Sequence, residues 1–184
     1  MDAQPPALSG AYAAGMLTFA EARAPHPLPP AELAEVTRLL TVGTPGVIVP
    51  PAFEEAFYRG GNLPEQLRRL FAPIRPARID EDALEPLAVQ AQALIRTSYL
   101  MDDAVQAFYR TLARANLPAG GVVRVRRADG AQAEDAPLLP PGTAVLQAVK
   151  RVWAQDWTFD AVVDRLDRTG SIALEARSTL LHPA

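Results

Sequence analysis

The sequence predicts a mixed, helix-rich α/β fold: a small sheet of short strands covered by helices. Three observations lead there. Residues 46–50 (Gly-Val-Ile-Val-Pro) and 122–126 (Val-Val-Arg-Val-Arg) are short β-branched runs bounded by turn formers, and they read as strands. Between and after them apolar residues recur at helical spacing, most clearly at Leu84, Leu87, Ala88, Ala91, Leu94 and Ile95. The third is size: 184 residues with 49% hydrophobic content can bury a core without disulfides or metal.

Taken in order, residues 1–8 carry two prolines and little to anchor them, so they are expected to fray, leaving 9–184 as one globular domain. A small-residue-rich helix is expected over 11–23, ended by Pro25, Pro27, Pro29 and Pro30. A second helix carries Leu33, Val36, Leu39 and Leu40. After the strand at 46–50, Pro51 opens a short helix with Phe53, Ala56 and Phe57 inward, and Gly60-Gly61 ends it. Leu67, Leu70 and Phe71 mark another.

Asp82 followed by Glu85 predicts the cap of the long central helix. Asp102 or Asp103 is expected to cap the next, whose face is Val105, Phe108 and Leu112; the two together read as a helical hairpin. Gly120-Gly121 leads into the strand at 122–126, with valines on one face and arginines on the other, and 128–143 reads as a polar loop. Val145, Val149, Val152 and Trp153 define a helix. Thr158 caps a further one bearing Phe159, Val162, Val163 and Leu166, with Gly170 as its stop. Ile172, Leu174 and Ala176 alternate as a last strand.

Composition excludes several chemistries. With no cysteine there is no disulfide, thiolate zinc site, iron–sulfur cluster or cysteine nucleophile. The two histidines, His26 and His182, sit at opposite ends beside prolines, so no metal site is expected. Net charge is −3, which gives no overall field toward nucleic acid or an anionic membrane. Neither a signal peptide nor a run of the roughly 20 apolar residues that a membrane helix needs is found, and a cytoplasmic protein without membrane contact is expected.

Arg124, Arg126 and Arg127 are the densest basic spot. They suit a nucleotide or other anion, since guanidinium forks match phosphate, or they form a solvated strand edge balanced by Asp129, Glu134 and Asp135. Trp153 and Trp157, four apart, read as core rather than as a base-stacking pair, with Lys150 and Arg151 on a solvated face. Both Gly-Gly pairs read as turns, the acids at 80–82 and 102–103 as caps, and no serine has the context of a nucleophile.

The order of these motifs resembles the N-terminal, ATP-grasp-type nucleotide-binding domain of phosphoenolpyruvate synthase and pyruvate phosphate dikinase. Gly46 through Phe57 is similar to that family's G-x-x-V-P-P strand and A-F-x-x-F helix. Ile79-Asp80-Glu81-Asp82-Ala83-Leu84 resembles its I-D-x-x-D motif. Val125-Arg126-Arg127-Ala128 stands where the family has V-R-S-S, and Ala148 through Val162 is similar to its A-V-x-x-x-W-A-S helix. The resemblance covers most of residues 9–178 and implies a partial ATP-grasp-like subdomain with weak adenine-nucleotide affinity through Arg126.

Departures from the family set the expected function. Ser9-Gly10-Ala11-Tyr12-Ala13 lacks the phosphate-binding lysine of G-G-K, Arg127 and Ala128 replace the two serines, and residues 136–142 lack F-A-G-Q. The family's second lobe, with its metal-binding acids, is expected to be missing. Phosphoryl transfer needs positive charge and Mg²⁺ around the transferring group, so no catalytic residue, metal or obligatory cofactor is expected. The chain reads as a non-catalytic binding or regulatory module with a nucleotide or anion site at Arg124, Arg126 and Arg127. It is expected to act through a homo-oligomer or protein partner covering apolar surface. Alternatives are a nucleic-acid-binding protein with a dimeric arginine surface, which the net charge disfavours, and half of a split ATP-dependent phosphotransferase.

Overall fold

The structure, a computed structural model, describes residues 15–23, 30–130 and 132–184. The expected fraying at 1–8, the stretch Ser9–Ala13, the prolines at 25–29 and His26 lie outside the described residues. Within them the chain forms strands β1 (Leu17–Thr18), β2 (Val47–Val49), β3 (Val122–Arg127), β4 (Ala133–Pro137) and β5 (Thr179–Pro183). The helices are α1 (Pro30–Thr41), α2 (Pro51–Gly60), α3 (Leu63–Leu70), α4 (Glu81–Thr97), α5 (Asp102–Arg114), α6 (Thr143–Gln155) and α7 (Phe159–Thr169). The mixed α/β architecture read from the sequence is the one observed.

The sheet runs β1-β2-β5-β3-β4 with every neighbouring pair antiparallel. Period-2 alternation sorts its residues onto two faces. Val47, Val49, Val123, Val125 and Leu181 turn to the main core, where Phe53, Phe57, Phe108, Val149 and Trp153 meet them. Each such side chain contributes about 1.5–3 kcal/mol through burial. Ile48 and Leu180 turn to the other face and pack with Phe19, Val36 and Leu39. On this second side α1 covers part of the sheet, and the part that no other described residue covers forms a cleft. Gly46 sits where the backbones crowd: a Cβ there would lie 2.4 Å from the Leu181 carbonyl oxygen and 2.5 Å from the Phe19 ring.

Several expectations need correction. The described part of the predicted helix at 11–23 is β1 followed by a 3-10 turn, Glu21–Arg23. Thr18 N–H donates to Glu21 Oε2 at 2.8 Å and Glu21 N–H to Thr18 Oγ1 at 3.3 Å, and this reciprocal pair turns the chain out of the strand. The cap of α4 is Asp80, whose Oδ1 accepts from Ala83 N–H; Asp82 lies inside the first turn. Asp102 and Asp103 also fall inside the first turn of α5, after Met101. There they favour the helix through its dipole rather than as the cap. α4 and α5 do not form a hairpin: α4 packs on α6, because Ser98 and Met101 are both extended and carry the chain away.

The predicted loop 128–143 contains β4, paired with β3 from Val122↔Pro137 to Arg126↔Ala133. The last strand is β5, not residues 172–176, which follow no strand pairing. Lys150 is 7% exposed rather than on a solvated face, and Arg151 pairs with Glu134 at 2.9 Å. Thr158 and Gly170 do bound α7: Thr158 Oγ1 accepts from Ala161 N–H, and Gly170 adopts φ 66°. No helix among the described residues is long and apolar enough to cross a membrane.

Candidate functional site

Three antiparallel strands set the site's first row. Arg124 lies opposite His182 on β5 and opposite Asp135 on β4, so the three side chains share one line across the sheet. Arg126, two residues on, projects from the same face. Its Nε donates to His182 Nε2 at 3.1 Å, and one Nη donates to Glu35 of α1. Glu35 also receives Nε and Nη2 of Arg38, both at 2.8 Å, while Arg124 grips Asp135 through two bonds of 2.9 Å. These groups line an open cleft of about 480 Å³.

The electrostatics follow from the pairing. The Arg38 bond, reinforced by Arg126, holds the Glu35 carboxyl down to about 2. Arg124 likewise lowers Asp135. Burial, with Arg126 and Arg124 nearby, lowers the His182 pKa below its usual 6.5. The neutral ring with its hydrogen on Nδ1 fits both contacts, since Nδ1 lies 2.8 Å from the Pro183 carbonyl oxygen and Nε2 accepts from Arg126. Three guanidinium groups thus face two carboxylates and a neutral imidazole.

Arg127 does not join this cleft. It shares the face of Val123 and Val125, is 4% exposed, and binds both oxygens of Glu54 at 2.7 Å as well as Asp156. Arg177 continues the chain of charges, reaching Asp156 at 2.5 Å and Asp129 at 2.8 Å. Burial pushes the Glu54 carboxyl up, and the Arg127 bonds oppose it. With both lone-pair sides of its carboxylate occupied, Glu54 is built into the fold rather than free to move protons.

Of the sequence-predicted arginines, then, the structure brings Arg124 and Arg126 together and separates Arg127. Reasoning along the sequence missed Glu35, Arg38 and His182 as their neighbours. Trp153 and Trp157 are core: their indole N–H groups donate to Thr179 Oγ1 at 3.1 Å and Tyr58 Oη at 2.8 Å. No grouping of three His, Asp or Glu among the described residues is placed to hold a metal ion. To an anion the cleft offers the guanidinium groups of Arg38, Arg124 and Arg126.

Comparison with known protein families and with curated proteins gives no match.

Proposed function

We propose that the chain is a non-catalytic binding module whose recognition surface is the cleft of Arg38, Arg124, Arg126 and His182, and that its ligand is a phosphate-type anion. The observation that carries this reading is the charge count among the described residues: Glu35 is divided between Arg38 and Arg126, so one guanidinium of the three has no carboxylate of its own there. A tetrahedral oxyanion can take the free donors of that fork without first breaking every ion pair.

The resemblance to a nucleotide-binding subdomain supports the same place, since Arg126 stands at the arginine of the family's V-R-S-S motif. Among the described residues no Phe, Tyr or Trp lines the cleft, so the phosphates of a nucleotide would supply its affinity. Against catalysis stands the engagement of both His182 ring nitrogens and both Glu54 oxygens, which leaves neither a free general base. The nucleic-acid alternative is weakened by the inward turn of Arg127, which reduces its arginine row to two.

Action through a second copy or a protein partner belongs to the same proposal. Tyr99 (92% exposed) and Met101 (53%), between α4 and α5, are apolar side chains left to solvent.

Calorimetric titration with inorganic phosphate, pyrophosphate and ADP, with and without Mg²⁺, tests the reading. Saturable binding that the Arg124→Ala/Arg126→Ala double variant abolishes is expected, with no turnover of ATP. Binding unchanged by that variant, or ATP hydrolysis at an enzyme-like rate, would overturn it.

A further inference from the structure

A second cavity, of about 580 Å³, opens between α2, α3 and residues 171–176. Tyr58, Leu67, Trp157, Ile172 and Leu174 make its walls mostly apolar, and the volume is that of a specific binding pocket. Glu54 at its inner end brings no free charge, because Arg127 holds both carboxylate oxygens.

The wall at 171–176 is chain that pairs with no strand among the described residues. Ile172, Leu174 and Ala176 are half-buried while Ala173 and Glu175 are exposed, the alternation of an extended chain. The segment nevertheless joins no sheet. Among the described residues the amides of Leu174, Glu175 and Ala176 donate to nothing, and the carbonyls from Ala173 to Ala176 accept nothing. Residues of both alternate sets, Ser171 and Ala173 as well as Ile172 and Leu174, border the cavity. A strand that presented one face would not do that; its edge faces the space.

The direction of that edge follows from one bond. Arg177 N–H reaches Glu54 Oε2 on α2 at 3.2 Å. In an extended chain every second residue points its N–H and C=O to the same side, so Glu175 and Ala173 share the α2 edge with Arg177. A purely apolar ligand would strip water from this backbone and leave it unpaired, which is costly. A peptide satisfies both the backbone and the apolar walls. At the rim Arg59 is exposed and bonded to no acid among the described residues.

We propose that this cavity docks an extended segment of a partner protein by strand addition. Its backbone pairs with the Glu175 amide and the Ala173 and Glu175 carbonyls, the Ala173 N–H being held by Ser171 Oγ at 3.0 Å; one large apolar side chain enters between Tyr58, Leu67 and Trp157, and an acidic residue meets Arg59. The site is separate from the anion cleft and does not depend on it.

The test is selection of a phage-displayed random heptapeptide library on the full chain. Synthetic copies of the enriched peptides are then measured by fluorescence anisotropy and mapped by amide hydrogen exchange. Enriched peptides with alternating apolar residues, an aromatic or leucine anchor and an acid are expected, slowing exchange at residues 173–176. Glu175→Pro removes a donor from the edge and should weaken binding about tenfold, as should Arg59→Glu at the exposed rim. Arg124→Ala/Arg126→Ala should bind these peptides as the native chain does, which separates this result from that of the anion cleft. Absence of enrichment, protection confined to another surface, or unchanged affinity in both Glu175→Pro and Arg59→Glu would overturn the proposal. So would saturation of the cavity by the dye anilinonaphthalene sulfonate without competition from any enriched peptide.

Discussion

Arg127, the last residue of β3, donates Nη1 and Nη2 to the two carboxylate oxygens of Glu54 on α2, both at 2.7 Å and across 73 residues of sequence. The pair is nearly sealed from solvent, Glu54 at 0% and Arg127 at 4% exposure. It ties the start of α2 to the end of β3, and through Asp156 and Arg177 it also holds the end of α6 and the chain entering β5. A buried ion pair of this kind adds little over a well-packed apolar pair, but breaking it on one side is costly.

Arg127→Met strands the Glu54 carboxylate. At pH 7 a loss of about 3–5 kcal/mol in unfolding free energy is expected by urea denaturation. Burial raises the Glu54 pKa above its ordinary 4.5, more so without its cation. Such a group is most favourable below the unfolded value and loses that stability as pH rises through the folded one. The deficit of the variant should therefore shrink between pH 7 and pH 5. A deficit constant over that range would contradict the assignment.

Glu35→Gln should separate stability from binding. The native carboxylate, held at about 2 by Arg38 and then Arg126, gives stability that is present above pH 4.5 and is lost as pH falls toward 2. The variant should be less stable by about 1 kcal/mol at pH 7, with the difference vanishing near the acid end. Phosphate affinity should rise instead, because the carboxylate competing for Arg38 and Arg126 is gone. Thermal melts and calorimetric titration of the same sample check both.

Lys150 is buried with no acid in ion-pair contact among the described residues, and burial lowers its ammonium pKa from 10.5. A depressed lysine costs stability while the unfolded chain is protonated, and the cost fades as pH rises toward 10.5. Lys150→Met keeps the stem's packing and should raise stability on the order of 0.5–1 kcal/mol at pH 7, less at pH 10.

Gly46→Ala should cost about 2–3 kcal/mol in urea unfolding, since the added methyl meets the β5 backbone and the Phe19 ring together. The rigid carbonyl at 2.4 Å leaves little room to relax.

What the sequence made legible was local. Val47–Val49 and Val122–Arg127 announced themselves by β-branched residues, and α6 by a stripe that ends in Trp153. β4 did not: Glu134, Asp135 and Pro137 are poor strand formers, only Ala136 is buried, and pairing with β3 alone makes it a strand. Residues 172–176 carry strand alternation without a partner in the described structure, whereas Thr179–Pro183, with Thr, His and Pro, is the strand that pairs. Period-2 spacing places Arg127 with Val123 and Val125, a signal that grouping the three arginines by sequence alone passed over. Its partner Glu54 was not legible, and neither was the meeting of Arg126 with Glu35 across 91 residues, because only the tertiary fold brings such pairs together.

The binding account is tested most directly by the ring resonances of His182 in a titration with inorganic phosphate at pH 7. The side chain accepts from Arg126 at 3.1 Å, so an anion that recruits this guanidinium changes its environment at once. A saturable shift at millimolar phosphate is expected in the native chain, with none in Arg124→Ala/Arg126→Ala. Resonances that stay fixed while phosphate binds elsewhere, or that move equally in the double variant, would contradict it.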